Sequence, residues 1–283
     1  MKTIIPRLVS LALTGLFAAC VSQPVPPAPP PAPEARPAPV VTPPQPAAAS
    51  VPAPVAPVVP PAPVDASAPI PKKDSGAFLK KHEAILARGR AGPIGVLFLG
   101  DSITEGWTKA PAVWNEYYGP YQPGNFGIGG DQTQHVIWRI ENGELDGIHP
   151  RLVVLMLGTN NSAGHTGEQI ADADAKIVRL LRAKLPEAKV LLLAIFPRGP
   201  RKNAQGVITD DGVKRMAVIN AANARLAGLD DGKDVRFLDI GPKFLGPDGT
   251  IPNDVMPDQL HPNAAGYKIW AEAMQPLFEE MMR

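Results

Sequence analysis

The 283-residue chain is poor in cysteine, in aromatic residues and in net charge, and each shortage excludes a class of protein. Its one cysteine, Cys20, excludes an intrachain disulfide framework and a multi-thiolate metal site. The 28 Lys and Arg residues nearly balance the 27 Asp and Glu residues, so the formal net charge is +1. Without a charge excess or a basic block, we expect no nucleic-acid partner.

Residues 1–20 have the layout of a secretory signal. A positively charged start is followed by an apolar run over 8–19 that is short for a membrane-spanning helix. Small residues then precede Cys20, which resembles a bacterial lipoprotein signal with Cys20 as the lipidated first residue. Phe17 stands where such signals usually carry Leu, so ordinary cleavage nearby stays open. Either way we expect export to the periplasm or cell envelope, and with lipidation an anchor in a membrane.

Proline is abundant in residues 21–73, which hold more than half of the 35 prolines of the chain. Proline fixes φ and lacks an amide donor, so neither helix nor sheet persists in such a segment. The composition predicts a disordered linker rich in polyproline II, which extends on the order of 150 Å at ~3.1 Å per residue. We interpret it as a tether, and a low-complexity spacer without a ligand is the alternative.

Residues 74–283 form the predicted domain, in which strand and helix patterns alternate. Continuous apolar runs, typical of strands covered on both faces, are found at 95–99, 152–157, 190–196 and 235–240, with a weaker one at 125–128. Helices are predicted at 77–88, 133–142, 167–185, 212–229 and 263–282. This alternation predicts an α/β domain, a three-layer α/β/α sandwich around a parallel sheet of about five strands.

Polar and glycine-rich segments follow the predicted strands, at the sheet edge where such domains carry their chemistry. They are Gly100-Asp101-Ser102-Ile103-Thr104, Gly127-Ile128-Gly129-Gly130-Asp131, Gly158-Thr159-Asn160-Asn161 and, ahead of the last helix, Asp258-Gln259-Leu260-His261. A serine, glycine amides, an asparagine amide and an Asp/His pair therefore converge at one edge. That inventory is typical of acyl transfer by a serine nucleophile.

The blocks GDSIT, GIGGD, GTNN and DQLH, in this order, resemble the SGNH, or GDSL-type, hydrolase family. The run NFGIGGDQTQHVIWRIENGEL and the later IFPRG resemble its platelet-activating-factor acetylhydrolase-like branch. The similarity covers nearly all of residues 78–282 and implies a flavodoxin-like SGNH fold and a serine hydrolase that acts on ester bonds. Ile103 replaces the Leu of GDSL and Asn161 replaces the Asp of the common GxND block, and neither change removes a reacting group.

The resemblance implies a role for each block. Ser102 is the nucleophile, His261 is its general base and then acid, and Asp258 accepts the other ring N–H of the histidine. The oxyanion is held by the backbone amides of Ser102 and Gly130 and by the side-chain amide of Asn160. Taken singly, Ser102 also fits a helix N-cap, and Gly130 and Asn160 fit turns.

His261 is followed by Pro262, a residue suited to the first position of a helix. This predicts that His261 lies at the positive end of the last helix, where the field opposes protonation while Asp258 favours it. Specificity is expected from loops at the same edge, and both Asp210-Asp211 and residues 198–203 are predicted to border the site.

Motifs for other chemistries are absent from the sequence. Gly-Ile-Gly-Gly lacks the third glycine of a dinucleotide fingerprint, and there is no P-loop, HExxH or GxSxG. The remaining histidines have no metal-ligand spacing; they are His82, His135, His149 and His165. We therefore assign no cofactor and no metal.

Together these patterns predict an exported, membrane-tethered esterase that removes short acyl groups, with acetyl on carbohydrate as the favoured substrate. A lysophospholipase or thioesterase is the alternative within the family, although no apolar lid insertion is visible. A non-catalytic envelope-binding module is the alternative outside it, and the complete set of site residues argues against that. The expected partners are a small ester or an acylated glycan, and a membrane if Cys20 is modified. A homodimer stays open.

Overall fold

The structure is a computed structural model, and it describes residues 64–74 and 76–283. The predicted signal, Cys20 and residues 21–63 of the predicted linker lie outside the described residues. Within the part of the chain that is described, no helix has the length and apolarity that crossing a membrane requires.

Helices and strands alternate along the described chain. The helices are α1 (Ala77–Arg90), α2 (Ser102–Glu105), α3 (Pro111–Tyr117), α4 (Thr133–Glu141), α5 (Gly167–Lys184), α6 (Gly212–Leu226) and α7 (Ala264–Met282). The strands are β1 (Val96–Gly100), β2 (Pro123–Gly127), β3 (Leu152–Met156), β4 (Lys189–Leu193), β5 (Arg201–Lys202), β6 (Ile208–Asp210) and β7 (Val235–Leu238). Strands β5 and β6 form a short antiparallel hairpin of their own.

The main sheet is parallel, with the strand order β2-β1-β3-β4-β7. Every residue of β1 and β3 is buried, because helices cover both faces of the sheet. Alternate residues of β1 enter two separate cores. Leu97 and Leu99 pack with residues of α1, α4, α5 and α6, whereas Val96 and Phe98 pack with residues of α7. The predicted three-layer fold and its five-stranded parallel sheet are confirmed.

Aromatic side chains fill the core on the α7 side of the sheet. The ring of Trp107 lies 4.6 Å from that of Tyr267 and 5.0 Å from that of Trp270, between centroids. Trp114 lies 5.4 Å from Trp107 in the same cluster, in the range where aromatic pairs attract. The fourth tryptophan, Trp138, lies in the opposite core, and its ring is 5.5 Å from that of Phe78.

The last helix begins at Ala264, within one residue of its predicted start at 263, so Pro262 does not occupy the first helical position and His261 lies two residues before the N-cap. Asn263 is the N-cap, and its side-chain oxygen accepts a hydrogen bond from Gly266 N at 3.1 Å. An asparagine oxygen satisfies a free amide of the first turn, which proline cannot do. Helix α6 also ends earlier than predicted, at Leu226, and continues as a 3₁₀ turn over Ala227–Leu229.

Residues 64–74, which we call the N-terminal strap, lie against the domain, although residues 21–73 were assigned to the linker. Ala66 is only 1% exposed, and its carbonyl accepts a hydrogen bond from Thr133 Oγ1 at 2.8 Å. The strap is locally ordered by Asp65, whose carboxylate accepts from Ser67 N at 2.8 Å in an Asx turn. The packed region therefore starts before the predicted boundary at residue 74.

Candidate active site

Ser102 is the first residue of α2, directly after β1. Asp101, not Ser102, caps this helix, because Asp101 Oδ1 accepts from Ile103 N at 2.9 Å. The Ser102 hydroxyl is thus free for another partner, and its Oγ lies 2.8 Å from His261 Nε2. The turn needs glycine before it, since a Cβ at Gly100 would lie 2.2 Å from Thr104 Oγ1 and 2.5 Å from Met156 O.

His261 and Asp258 face each other in the segment before α7. His261 Nδ1 lies 2.7 Å from Asp258 Oδ2, and Asp258 Oδ1 accepts from His261 N at 2.7 Å and from Leu260 N at 3.2 Å. Gln259 has φ 61°, in the left-handed region, which turns the chain back on itself. Burial raises the pKa of Asp258, but the hydrogen bonds from His261 outweigh it and hold that pKa well below its usual range.

The GIGGD turn lies directly against α2. Gly129 N donates to Glu105 Oε2 at 2.8 Å, and a Cβ at Gly129 would lie 3.7 Å from Ser102 Cβ. Gly130 has φ 77°, a conformation that side chains disfavour. Among the described residues, the Gly130 N–H has no acceptor within hydrogen-bond distance. This turn therefore lies beside Ser102 and contains an amide that no described residue uses as a donor.

Asn160 lies between the GDSIT and GIGGD blocks. Its Nδ2 donates to Asp131 O at 2.8 Å and lies 3.4 Å from Asp101 Oδ2. The neighbouring Asn161 has a structural place, since its Oδ1 accepts from Thr133 N and its Nδ2 donates to Thr133 Oγ1, both at 2.9 Å. The side chain of Asn161, which stands where the family pattern has Asp, therefore holds the first residue of α4 in place.

Two buried carboxyl groups stand behind these loops. Burial raises the pKa of Asp101, the Ile103 N–H lowers it and the neighbouring Asp131 raises it, and the net pKa is about 7. Burial also raises the pKa of Asp131, although Arg139 Nε and Lys72 Nζ lie 3.0 Å from its two oxygens. Arg139 also pairs with the buried Glu144, so two cations face two carboxylates behind the GIGGD loop.

The predicted site residues thus meet at the carboxyl edge of the sheet. Ser102, His261 and Asp258 are joined by hydrogen bonds, whereas Gly130 and Asn160 adjoin them through the GIGGD turn and Asp101. Their catalytic roles stay predictions. Within the described residues, no group of three or more His, Cys, Asp or Glu side chains is placed to hold a metal ion.

Comparison with known proteins gives a family. Residues 98–269 match the model of the GDSL-like Lipase/Acylhydrolase family. The chain is 37% identical over 207 residues to platelet-activating factor acetylhydrolase IB subunit alpha1 of Homo sapiens, covering 73% of this chain and 85% of that protein. It is 36% identical over 188 residues to the alpha2 subunit of Rattus norvegicus, covering 66% and 76%. The chain belongs to the GDSL-like lipase/acylhydrolase family.

Solved structures share the fold. A GDSL-like lipase from Bacteroides thetaiotaomicron has a TM-score of 0.56 at 21% identity, covering 70% of this chain and 97% of that one. A carbohydrate acetylesterase family member from Sinorhizobium meliloti has a TM-score of 0.52 at 19% identity, covering 66% and 98%. The family resemblance inferred from the four blocks is confirmed, and the protein is an ester-hydrolysing serine hydrolase.

The loop after β4 borders the site of this GDSL-family hydrolase, as predicted for residues 198–203. Arg201 Nη2 lies 3.1 Å from Asp258 Oδ2, and the buried Arg198 donates to Thr159 Oγ1 at 3.2 Å. Asp210 pairs with Arg198, whereas Asp211 caps α6 by accepting from Val213 N at 3.0 Å. A cavity of about 530 Å³ adjoins Asp258 here; it is lined by Pro200, Arg201, Lys202, Asn253, Pro257, Asp258 and Gln259.

Sequence reasoning missed contacts that come from distant segments. Tyr267 of α7 donates its hydroxyl to Ile103 O at 2.7 Å and so holds the helix that carries Ser102. Lys72 of the strap donates to Gly129 O at 2.6 Å. Neither contact has a local signal, because Tyr267 looks like an apolar-face residue and Lys72 follows a proline-rich stretch.

Proposed function

We propose that this GDSL-family hydrolase removes short acyl groups, acetyl first among them, through Ser102, His261 and Asp258. The observation that carries the proposal is a continuous line of contacts. Ser102 Oγ lies 2.8 Å from His261 Nε2, and His261 Nδ1 lies 2.7 Å from Asp258 Oδ2. Both distances suit proton transfer from the hydroxyl to a ring held in one tautomer.

In the first half of the reaction, Ser102 Oγ attacks the ester carbonyl carbon while His261 takes its proton. His261 then gives that proton to the leaving alcohol, and the acyl group stays on Ser102. Water completes the cycle by the same path, with His261 as base again. Asp258 holds the ring and stabilises the positive charge that forms on it.

The oxyanion of this reaction is held by three donors. They are the amides of Ser102 and Gly130 and the side chain of Asn160. Two features support this assignment. The Gly130 N–H lacks an acceptor among the described residues, and Asn160 Nδ2 lies 3.4 Å from Asp101 Oδ2, which is long for a hydrogen bond. Removal of one such donor typically lowers the rate about 10² to 10³-fold.

A short acyl group and a polar alcohol form the proposed substrate. Relatives at 37% identity are named platelet-activating factor acetylhydrolases, which supports acetyl as the group removed. The cavity beside Asp258 is lined by polar and charged side chains and two prolines, which favours a polar alcohol over a long acyl chain. An acetylated carbohydrate is the proposed natural form.

Hydrolysis of p-nitrophenyl esters from acetyl to palmitoyl by the full chain tests this proposal. We expect activity on acetyl and propionyl esters that is lost in Ser102→Ala and His261→Ala and kept in His149→Ala, which changes an exposed histidine ahead of β3. Acetate release from acetylated glycans then tests the alcohol. A rate that rises with acyl length would favour a lysophospholipase or thioesterase, and retained activity in Ser102→Ala would contradict the mechanism.

Export and a lipid anchor at Cys20 complete the proposal, and they rest on the sequence pattern of residues 1–20. The proline-rich residues that follow then act as the tether. Labelled palmitate should be incorporated into the wild-type chain in a bacterial host and not into Cys20→Ala. A processed wild-type chain that is released without lipid would contradict the anchor and leave ordinary export.

A further inference from the structure

The N-terminal strap contacts helices α4 and α5 and the loops that follow β2 and β3, and these two loops carry the proposed oxyanion donors. Its contacts in chain order are Val64 O with His165 Nε2 at 2.6 Å, Ala66 O with Thr133 Oγ1 at 2.8 Å, Ser67 O with Lys176 Nζ at 2.9 Å, and Ile70 N with Gln134 O at 3.3 Å. The strap is thus fixed to the domain at several points before it reaches the GIGGD turn.

Lys72 is the strap residue that touches this turn. Its Nζ donates to Gly129 O at 2.6 Å and lies 3.0 Å from Asp131 Oδ1. The amine also lies 5.6 Å from the centre of the Phe78 ring, at a distance typical of a cation–π contact. Its side chain is 17% exposed, so water competes little for these contacts. One ammonium group is therefore held by a carbonyl, a carboxylate and an aromatic face.

The carbonyl that Lys72 holds belongs to the same peptide group as the Gly130 N–H. Because this group is planar and trans, fixing the direction of Gly129 O also fixes the direction of the Gly130 N–H. The restraint matters here, since two successive glycines resist rotation of the peptide less than other residues do. Glu105 already holds the Gly129 N–H at 2.8 Å, but that contact restrains the preceding peptide.

We propose that Lys72 is a positioning residue that holds the Gly130 amide toward the oxyanion. A charged donor on the carbonyl also polarises the peptide and makes its N–H a stronger donor. The proposal rests on the proposed function, because it takes the Gly130 N–H as an oxyanion donor. It gives Lys72, which precedes every described helix and strand, a part in positioning the oxyanion donors.

A graded series at position 72 in the full chain tests the proposal. Lys72→Met removes the donor and keeps an unbranched stem, Lys72→Gln keeps a neutral N–H, and Lys72→Arg keeps a charged donor. We expect kcat on p-nitrophenyl acetate to fall about 10 to 100-fold in Lys72→Met, with KM changed less than about two-fold, since the contact acts on the transition state. Lys72→Gln should be intermediate, and Lys72→Arg should restore most of the rate.

Lys73→Met is the matched control, because Lys73 is exposed and makes no side-chain hydrogen bond or ion pair with the described residues. We expect it to retain wild-type kcat. Phosphonylation of Ser102 by a fluorophosphonate, which also builds negative charge on an oxygen, should slow in parallel with kcat across the series.

Two results would overturn the role of Lys72. One is wild-type kcat in Lys72→Met while Ser102→Ala is inactive, which leaves the proposed function intact. The other is a loss of kcat that follows a loss of Tm and is not restored by Lys72→Arg, which assigns Lys72 to stability through Asp131 alone. Activity retained in Ser102→Ala would instead remove the proposed function itself.

Discussion

Arg201 and Asp258 form an ion pair at the rim of the site: Arg201 Nη2 lies 3.1 Å from Asp258 Oδ2. The same oxygen faces His261 Nδ1 at 2.7 Å, so a fixed positive charge stands beside the ring that gains a proton during the reaction. Asp258 keeps its orientation without Arg201, because two backbone amides hold its other oxygen.

Arg201→Gln should therefore raise kcat on p-nitrophenyl acetate modestly, by about two- to three-fold. Without the arginine charge, the positive charge that forms on the ring during the reaction is opposed less. Lys202→Gln is the control, since Lys202 lines the same cavity without an ion pair to the described residues. An unchanged kcat in Arg201→Gln, or an equal change in both variants, would contradict the role of this specific contact.

Tyr267 and Tyr118 are both fully buried, but only Tyr267 donates its hydroxyl to a described residue. Tyr267→Phe leaves Ile103 O without its donor and should lower the free energy of unfolding by about 1 kcal/mol. Tyr118→Phe removes a hydroxyl that has no partner among the described residues, so it should be neutral or stabilising. Denaturant unfolding compares the two, and equal losses would contradict the hydrogen bond's role.

Asp174 of α5 is buried, and neither of its carboxylate oxygens has a hydrogen-bond partner among the described residues. Burial raises its pKa well above the usual value, and the nearby Asp101 adds to this. Its contribution to stability is therefore present below the unfolded-state pKa of about 3.9 and is lost as pH rises toward the folded-state value. Neutral pH is where Asp174 destabilises the fold.

Asp174→Leu, which keeps the branched shape, should raise the free energy of unfolding at about pH 7.5 by roughly 1–3 kcal/mol. The gain should shrink at about pH 3, below the unfolded-state pKa, where the carboxyl is largely protonated in both the folded and the unfolded state. Asp174→Asn serves as control, since it removes the ionisation and keeps an unpaired polar group. Thermal unfolding at both pH values checks this, and a lower Tm in Asp174→Leu at neutral pH would contradict it.

His135 has the opposite effect on stability to Asp174, because its contribution is lost as the pH falls. Burial, together with the charges of Lys72 and Arg139, lowers its pKa to about 4, and its Nδ1 accepts from Gln132 N at 3.0 Å. The neutral ring is the acceptor, so its stabilising effect is present above the usual pKa of about 6.5 and is lost as pH falls toward 4. His135→Gln keeps an acceptor at this capping position without titrating.

The wild type should consequently lose on the order of 2 kcal/mol more stability than His135→Gln between about pH 6.5 and pH 4. Urea unfolding at a series of pH values checks this difference. His149→Gln is the control, because His149 is exposed. Parallel pH profiles for the wild type and His135→Gln would contradict the proposed role of the neutral ring.

The sequence predicts the buried elements of this fold well because burial leaves a composition signal. β1 and β3 are continuous apolar runs in the sequence and are covered on both faces in the structure. α3 escaped detection since none of its residues is fully buried, so no apolar period marks it. The β5–β6 hairpin has strands of two and three residues, too short for any periodicity to show.

Site residues can be predicted from the sequence where the reaction requires a particular residue type. They cannot be predicted where a residue acts through a contact with a distant segment. Ser102 and His261 can be singled out from the sequence by their residue types and places. Ser102 follows the apolar run of β1, and His261 precedes the last helix. Lys72 meets Gly129 across 57 positions of sequence, and no local pattern distinguishes it from Lys73 beside it. Pro262 was assigned to the first position of α7 wrongly for a related reason, since Pro262 and Asn263 both suit a helix start and only the side-chain hydrogen bond of Asn263 decides between them.

The uneven distribution of tryptophan has a spectroscopic consequence. Trp107, Trp114 and Trp270 belong to the aromatic cluster on the α7 side of the sheet, and Trp138 alone reports on the opposite core. Tryptophan emission therefore follows mainly the layer that supports the Ser102 helix, whereas far-ultraviolet circular dichroism follows helices of both layers. A Trp138→Phe variant would make the emission signal specific to one face, so that the order in which the two cores melt becomes measurable.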